Sequence, residues 1–237
     1  MAGLTTGGPN VDVSLLYGIN GLARRAPDWL DRAVYAVGEY GILLTLVLLV
    51  LWCWRGARRQ DEAAAVESLT ALVWAPLAAA GALLLNVPLR EFVGRPRPAQ
   101  QHGGVEVLDP GAGIGHSPFS FVSDHTTLAM ALGVGLFVAH RKLGFVGIAL
   151  ALIEGFTRVY VGVHYPTDVI GGLALGTAVV LLLAPLAMAL LTPVVRAVAR
   201  SPRLGVLVRA GGRALPRPLD LAPTPPPARG HESDLAA

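Results

Sequence analysis

The sequence predicts an all-α fold, a polytopic membrane helix bundle of about five spans preceded by an N-terminal interfacial helix. Composition is the first observation, because 53% of the 237 residues are hydrophobic and only 15% are charged, whereas a soluble domain carries about 25% charged residues. The second is that the apolar residues form long blocks, and a block of about 18 residues or more indicates a membrane span. The third is that short basic stretches separate the blocks, as in loops that remain in the cytoplasm.

The elements follow from the apolar blocks taken in order. Residues 12–31 mix leucines with aspartates and arginines, a pattern that favours a helix lying on the membrane surface. The five spans are predicted at 33–54, 68–89, 124–139, 143–161 and 167–191. The chain is accordingly divided into an N-terminal interfacial segment at 1–32, a membrane domain at 33–192, and a basic C-terminal helix with a disordered tail at 193–237.

Lysine and arginine predict which side of the bundle faces the cytoplasm. With five spans, the basic stretches 55–59, 141–142 and 196–217 share one side, which the positive-inside rule assigns to the cytoplasm together with the C-terminus. The polar loops 90–123 and 158–167 then share the outer side. Their arginines run against the bias, and cations retained in this way usually have a function.

A histidine and an aspartate four residues apart open the last predicted span. On a helix this spacing places His164 and Asp168 on one face. The carboxylate can hold one imidazole nitrogen there and leave the other free as a nucleophile or base. Arg158 ends the preceding span, and its planar guanidinium suits a phosphate. The three residue types together predict chemistry on a phosphoryl group.

Two further clusters lie on the predicted outer side. Ser123, Asp124 and His125 open the third span, and a helix N-terminus attracts anions, although Ser123 or Asp124 could instead serve as the helix cap. Two histidines around one phosphate would supply a nucleophile and a general acid. In the loop before them, Arg90 and Arg97 bracket a turn. This pair indicates a pocket for several negative oxygens, because a patch for anionic headgroups belongs on the cytoplasmic side.

Glu154 lies inside the fourth predicted span, four residues before Arg158. An unpaired carboxylate in a membrane costs on the order of 3 kcal/mol on insertion scales. The spacing therefore predicts an ion pair between the two residues. A protonated glutamate packed between helices is the alternative.

In their order and spacing, the three clusters resemble the motifs of the type-2 phosphatidic acid phosphatase superfamily, Lys-x6-Arg-Pro, Pro-Ser-x-His and Ser-Arg-x5-His-x3-Asp. The matching residues are Arg90, Arg97, Pro98, Ser123, His125, Arg158, His164 and Asp168. Three positions depart from the pattern: Arg90 replaces lysine, Val122 replaces proline and Thr157 replaces serine. Within the superfamily, the stretches 38–40, 123–127 and 161–169 look most like bacterial undecaprenyl-diphosphate phosphatases.

The resemblance implies a membrane phosphatase that acts on a lipid phosphate or diphosphate in two steps. His164 would attack the phosphorus while Asp168 orients it, and His125 would protonate the leaving group and then activate water. The groups implied to bind the phosphate are Arg90, Arg97, Ser123 and Arg158. The side chains expected to support them from behind are Asp124, Glu154 and Thr157. Neither a cofactor nor a metal ion is expected, and the partners are the lipid substrate and the bilayer, without nucleic acid.

Other functions remain open at this point. The substrate could be another lipid, such as phosphatidylglycerophosphate, phosphatidate or a prenyl-phosphoribose. Vanadium haloperoxidases share these motifs, but they are soluble proteins. A non-catalytic protein that binds anionic lipids would have no need of two histidines and an aspartate at these spacings. A metalloenzyme built on the same three side chains is a fourth alternative.

Overall fold

The computed structural model describes residues 10–109 and 117–208, and the regular structure in these two ranges is helical. In chain order the helices are α1 (Val11–Ala23), α2 (Asp28–Ala36), α3 (Ile42–Ala57), α4 (Glu62–Val93), α5 (Pro98–Gln101), α6 (Asp124–Ala139), α7 (Arg141–Tyr160) and α8 (Pro166–Arg200). A π-helical turn at Val37–Gly41 joins α2 to α3, and a 3₁₀ turn at Gly205–Leu207 follows α8. The all-α prediction is confirmed. The predicted disordered tail, from residue 216 on, lies outside the described residues.

Four helices in the described part of the chain are long and apolar enough to cross a membrane: Asp28–Ala57, which joins α2 to α3, and then α4, α7 and α8. The first of them begins before the span predicted at 33–54, so it includes residues 28–31, the end of the segment predicted to lie on the membrane surface. Asp28 and Asp31 lie in its first turn, where polar ends of side chains can still reach water or headgroups.

The central helix is α6, and its bounds match the third predicted span. Its 16 residues make about 24 Å of helix, less than the roughly 30 Å of a bilayer core. It packs against α3, α4, α7 and α8. Glycines permit the closest approach, since a Cβ atom on Gly133 would lie 2.7 Å from the backbone carbon of Gly147 on α7. Three of these neighbours, α4, α7 and α8, are longer than α6. Because α6 is shorter than the bilayer core, the number of five membrane crossings remains a prediction.

Two helices, α4 and α8, extend beyond their predicted bounds and contain prolines in their interior. Pro76 and Pro88 lie inside α4, and Pro185 and Pro193 lie inside α8. Proline is tolerated within membrane helices because neighbouring groups satisfy the backbone that it frees. The boundary predicted at residue 192 consequently falls inside α8.

The periphery of the bundle is apolar. Large hydrophobic side chains are exposed on α3, α4 and α8, among them Trp52, Leu84 and Leu182. Apolar surface of this extent is unfavourable in water and matches the hydrocarbon chains of a bilayer.

The first helix, α1, packs on α7 and α8 at one end of the bundle. Asn20 is fully buried, and its side-chain nitrogen donates to the carbonyl oxygens of Glu106 at 2.7 Å and Tyr160 at 2.8 Å. Asp12 accepts from the backbone N–H of Thr167 at 2.9 Å, at the start of α8. The first half of the predicted surface segment is therefore tied to the ends of two long helices by polar contacts.

Candidate active site

The three clusters singled out in the sequence meet at the end of the bundle that α1 covers. The backbone N–H of Ser120 donates to the carbonyl oxygen of Arg95 at 2.8 Å, which joins the first cluster to the segment before α6. The N–H of Ser123 donates to the carbonyl oxygen of Asp168 at 3.2 Å, which joins the second cluster to the third. The clusters thus form one site.

The start of α6 is held by its own cap and by a buried asparagine. The Ser123 hydroxyl oxygen accepts from the N–H of Thr126 at 3.4 Å and from its hydroxyl at 3.0 Å, so Ser123 is the cap that the sequence left undecided. Asn86 on α4 donates to Asp124 Oδ1 at 2.6 Å and to the carbonyl oxygen of Val122 at 3.0 Å. Sequence reasoning missed Asn86, whose signal is an amide inside an apolar span.

His164 lies in the loop between α7 and α8. Its Nδ1 atom is 2.8 Å from the carbonyl oxygen of Ser120 and 3.7 Å from Oδ2 of Asp168. A carbonyl oxygen can only accept, so Nδ1 carries the proton in this contact. The neutral ring therefore has its lone pair on Nε2. The carbonyl of Ser120 could not be foreseen as a partner, because a backbone group leaves no mark in a residue pattern.

The surroundings of His164 favour its neutral form. Burial lowers the pKa of His164 from its ordinary value of 6.5, the nearby Asp168 carboxylate opposes this effect, and the positive charges of Arg97 and Arg158 add to it. A neutral imidazole is the form that can act as a nucleophile.

Asp168 is fully buried and bound on both oxygens. Oδ2 accepts from the N–H of Tyr165 at 2.9 Å, and Oδ1 accepts from Nη1 of Arg95 at the same distance. Nη2 of Arg95 lies 2.5 Å from Asp12 of α1, and its guanidinium stacks 3.6 Å from the centre of the Tyr165 ring. The sequence marked Arg95 only as an arginine on the unexpected side, and it assigned no role to Asp12.

The two arginines of the first cluster reach different parts of the site. Arg90 forms an ion pair with Asp124. Arg97 donates from Nε to the carbonyl oxygen of Ser117 at 3.0 Å and from Nη1 to that of Val163 at 3.4 Å. Burial and the nearby charge of Arg90 lower the pKa of Arg97, as expected for two cations placed close together.

Arg158 has two carboxylate partners. Its Nε lies 3.0 Å from Oε1 of Glu154, the pair that the spacing in the sequence predicts. Its Nη1 lies 2.8 Å from Oε2 of Glu39 in the π-helical turn, and Oε1 of Glu39 lies 3.5 Å from Nε2 of His125. Thr157, buried beside Arg158, donates its hydroxyl to the carbonyl oxygen of Glu154 at 2.8 Å. Glu39 was noticed in the sequence only as part of a resemblance, without a role.

Arginines supply the positive charge of the site. Within residues 10–109 and 117–208, no group of three or more His, Cys, Asp or Glu side chains is arranged to hold a metal ion. The cations that converge near the two histidines are those of Arg90, Arg97 and Arg158.

A helical membrane bundle with arginines and two histidines gathered at one end has the features of a membrane lipid phosphatase. Residues 71–191 match the PAP2 superfamily, and the chain belongs to this family. The resemblance that the three motifs carry is thereby confirmed.

Named relatives and a solved structure agree with this assignment. The chain is 31% identical over 145 residues to undecaprenyl-diphosphatase BcrC of Bacillus subtilis, covering 61% of this chain and 68% of that protein. It is 37% identical over 170 residues to lipid A 1-phosphatase of Rhizobium etli, covering 64% and 72%. The crystal structure of a transmembrane PAP2-type phosphatidylglycerolphosphate phosphatase from Bacillus subtilis has the same fold, with a TM-score of 0.53, 23% identity, and coverage of 76% and 88%.

Proposed function

We propose that the protein removes the terminal phosphate of a polyprenyl diphosphate, converting undecaprenyl diphosphate to undecaprenyl phosphate and inorganic phosphate. The likeness to a protein named undecaprenyl-diphosphatase supports this substrate. The single observation that carries the reaction is the contact of His164 Nδ1 with a carbonyl oxygen at 2.8 Å. It leaves the Nε2 lone pair available to attack phosphorus.

In the first step, His164 Nε2 forms a bond to the terminal phosphorus as the bond to the leaving oxygen breaks. Asp168, fixed by Arg95 and Tyr165, keeps the ring oriented and stabilises its developing positive charge. Cationic and hydroxyl groups stabilise the charge on the three equatorial oxygens. These groups are Arg90, Arg97, Ser123 and Arg158.

His125 serves as the general acid and then as the general base. It gives a proton to the leaving oxygen, and in the second step it takes one from the water that cleaves the phosphohistidine. Its position at the start of α6, near both His164 and Arg158, supports this role. Asp124 and Glu154 act indirectly, because each carboxylate holds an arginine, Arg90 or Arg158.

The site lies on the outer face of the cell membrane, and the C-terminus lies in the cytoplasm. Support comes from the basic stretches 55–59 and 141–142, which follow α3 and α6 at the end of the bundle opposite the site. Basic loops favour the cytoplasm. A lipid diphosphate in the outer leaflet would then present its phosphates at the level of the site.

A phosphate of lipid A is the second candidate substrate. The relative named lipid A 1-phosphatase shares 37% sequence identity with the chain, compared with 31% for the relative named undecaprenyl-diphosphatase. Both substrates present a phosphate carried by a lipid, so the pocket chemistry is shared and the group attached to the phosphate would discriminate between them.

Phosphate release from a panel of lipids by the detergent-purified protein tests the proposal. The panel contains undecaprenyl diphosphate, lipid A, phosphatidylglycerophosphate and phosphatidate. We expect the highest kcat/KM with undecaprenyl diphosphate, no turnover by His164→Ala, and turnover by the matched variant His140→Ala, whose histidine caps α7 at the opposite end of the bundle. A higher kcat/KM for another lipid would reassign the substrate.

A further inference from the structure

Glu39 places a carboxylate between two groups of the proposed phosphate site. Oε2 lies 2.8 Å from Nη1 of Arg158, and Oε1 lies 3.5 Å from Nε2 of His125. The Glu39 side chain is only 19% exposed. A negative charge in a site that must accept a phosphoryl group requires an explanation, because like charges at short range disfavour binding.

The local structure holds Glu39 in this position. The π-helical turn Val37–Gly41 interrupts an otherwise α-helical span, and such turns recur at functional sites. Gly38 lets this turn approach α7 closely, since an added Cβ would lie 2.5 Å from Thr157 Oγ1 and 2.8 Å from Arg158 Nη2. The backbone on either side of the carboxylate is therefore packed against the arginine that it binds.

No edge of the Arg158 guanidinium is open as the structure stands. Nη1 is taken by Glu39, Nε faces Glu154, and Nη2 is buried against Gly38. The Arg158 side chain is 4% exposed. A phosphoryl oxygen can reach this guanidinium only by replacing one of its two carboxylates. Glu39 is the replaceable one, because Glu154 is fully buried.

We propose that Glu39 is a positioning residue: its carboxylate holds the place of the phosphoryl group on Arg158 in the substrate-free protein, and on displacement it pairs with His125 and orients that ring as the proton donor. This inference rests on the proposed phosphatase function. The His164 Nε2–P bond forms as the bond to the leaving oxygen breaks, and that oxygen takes a proton from the His125 imidazolium. Glu39 keeps its charge throughout and holds the second N–H of the ring.

Charged groups of both signs surround His125. Arg158 and His164 bring positive or potentially positive groups to the ring, and Glu39 and Asp124 bring negative ones. Asp124 is engaged by Arg90. Once a phosphoryl group takes Arg158, Glu39 is the carboxylate left to balance a protonated His125.

The test is Glu39→Gln in the purified full chain, which keeps the size of the side chain and removes its charge. The probes are inorganic phosphate, farnesyl diphosphate and farnesyl monophosphate. We expect inorganic phosphate to bind about ten-fold more tightly, because a charge-assisted competitor for Arg158 is gone. We expect kcat for the monophosphate to fall about ten-fold more than kcat for the diphosphate, because the monophosphate depends more on the general acid.

Glu91→Gln is the matched control, since Glu91 is an exposed carboxylate near the C-terminal end of α4. It should change neither the phosphate affinity nor the ratio of the two kcat values. A damaged fold would weaken phosphate binding and slow both substrates equally. Unchanged or weaker phosphate binding in Glu39→Gln, or equal slowing of the two substrates, overturns the proposal. If this variant does not fold, Glu39→Asp serves, and it should retain the phosphate affinity of the wild type while losing monophosphate turnover.

Failure of the proposed function would look different. Phosphate binding is read from protection against thermal unfolding, which needs no turnover. A wild-type protein that hydrolyses no lipid phosphate would defeat the phosphatase proposal, whereas the binding comparison would still report whether Glu39 competes for the anion site.

Discussion

Nη1 of Arg95 lies 2.9 Å from Oδ1 of Asp168, and this contact fixes the carboxylate next to the proposed nucleophile. Asp168 is fully buried, and Arg95 is 25% exposed. Because Nη2 of the same guanidinium binds Asp12 at 2.5 Å, one side chain connects α1 to the site. We therefore expect Arg95 to act through Asp168 rather than on the phosphate.

Replacing Arg95 should damage both stability and catalysis. Arg95→Ala leaves a buried carboxylate without its cation, and removal of one partner of a buried pair costs about 3 kcal/mol or more. We expect a lower Tm in detergent and at least about ten-fold lower kcat. Arg95→Lys should recover only part of the lost stability and kcat, since an ammonium cannot bridge two carboxylates as a guanidinium does. Arg25→Ala, at an exposed arginine, is the control. Wild-type kcat in Arg95→Ala would refute the positioning role.

The phosphorylation step should tolerate mild acid. Burial lowers the pKa of His164 from 6.5, so the ring stays neutral below the pH at which a free imidazole would be half protonated. The rate of enzyme phosphorylation, measured by rapid quench with labelled diphosphate, should therefore remain near its plateau at pH 6.5. It should fall only at lower pH, as His164 becomes protonated through its lowered pKa. A midpoint above 6.5 would contradict this reading of the site.

The two histidines should respond differently to the leaving group. A lipid monophosphate expels an alkoxide, which needs a proton, whereas a diphosphate expels a phosphate, which needs it less. His125→Ala should therefore slow monophosphate cleavage by a larger factor than diphosphate cleavage, and His164→Ala should stop both.

Single-turnover release of the alcohol or monophosphate is the appropriate measurement, because a slow dephosphorylation of the enzyme would otherwise hide the contrast. The ratio of the two cleavage rates within one variant does not depend on how much of that variant is expressed. Equal slowing of the two substrates by His125→Ala would mean that this ring binds phosphate instead of donating a proton.

The proposed orientation can be read with single cysteines in a Cys53→Ser background, since Cys53 is a buried free thiol. Gly103→Cys lies in the loop before α6 at an exposed position where an added Cβ meets nothing within 4 Å. Leu204→Cys lies beyond α8 at a residue that is 51% exposed. An impermeant thiol reagent on intact cells should label only the first. Labelling of only the second would invert the topology.

The sequence predicted the members of the site better than their partners. His164, Asp168 and Arg158 could be placed together because their spacing is short and acts within or between adjacent helices. Asp12 and Glu39 could not be placed, since they reach the site from the N-terminal helices across long sequence separations. A local residue pattern carries no information about contacts between residues so far apart in the sequence.

Helix ends were predicted less well than helix positions. The bounds of α6 agree with the prediction, because Ser123 and the polar loop before it mark a start. The end of α8 does not, since Pro193 continues the helix. In a bilayer the alternative to a helix is a backbone with unsatisfied hydrogen-bonding groups. A proline within an apolar segment therefore does not end the helix as it usually does in a soluble protein.

The tie between Asp12 and Thr167 joins residues 155 positions apart. Asp12 is synthesised before the four long helices of the described residues, and α8 is synthesised after the other three. The N-terminal helix must therefore wait for α8 to enter the bilayer before it can dock. A nascent chain arrested before α8 already has His125 and His164, but it lacks Asp168, the carboxylate proposed to orient His164. The proposed site is therefore complete only after α8 has been synthesised and inserted.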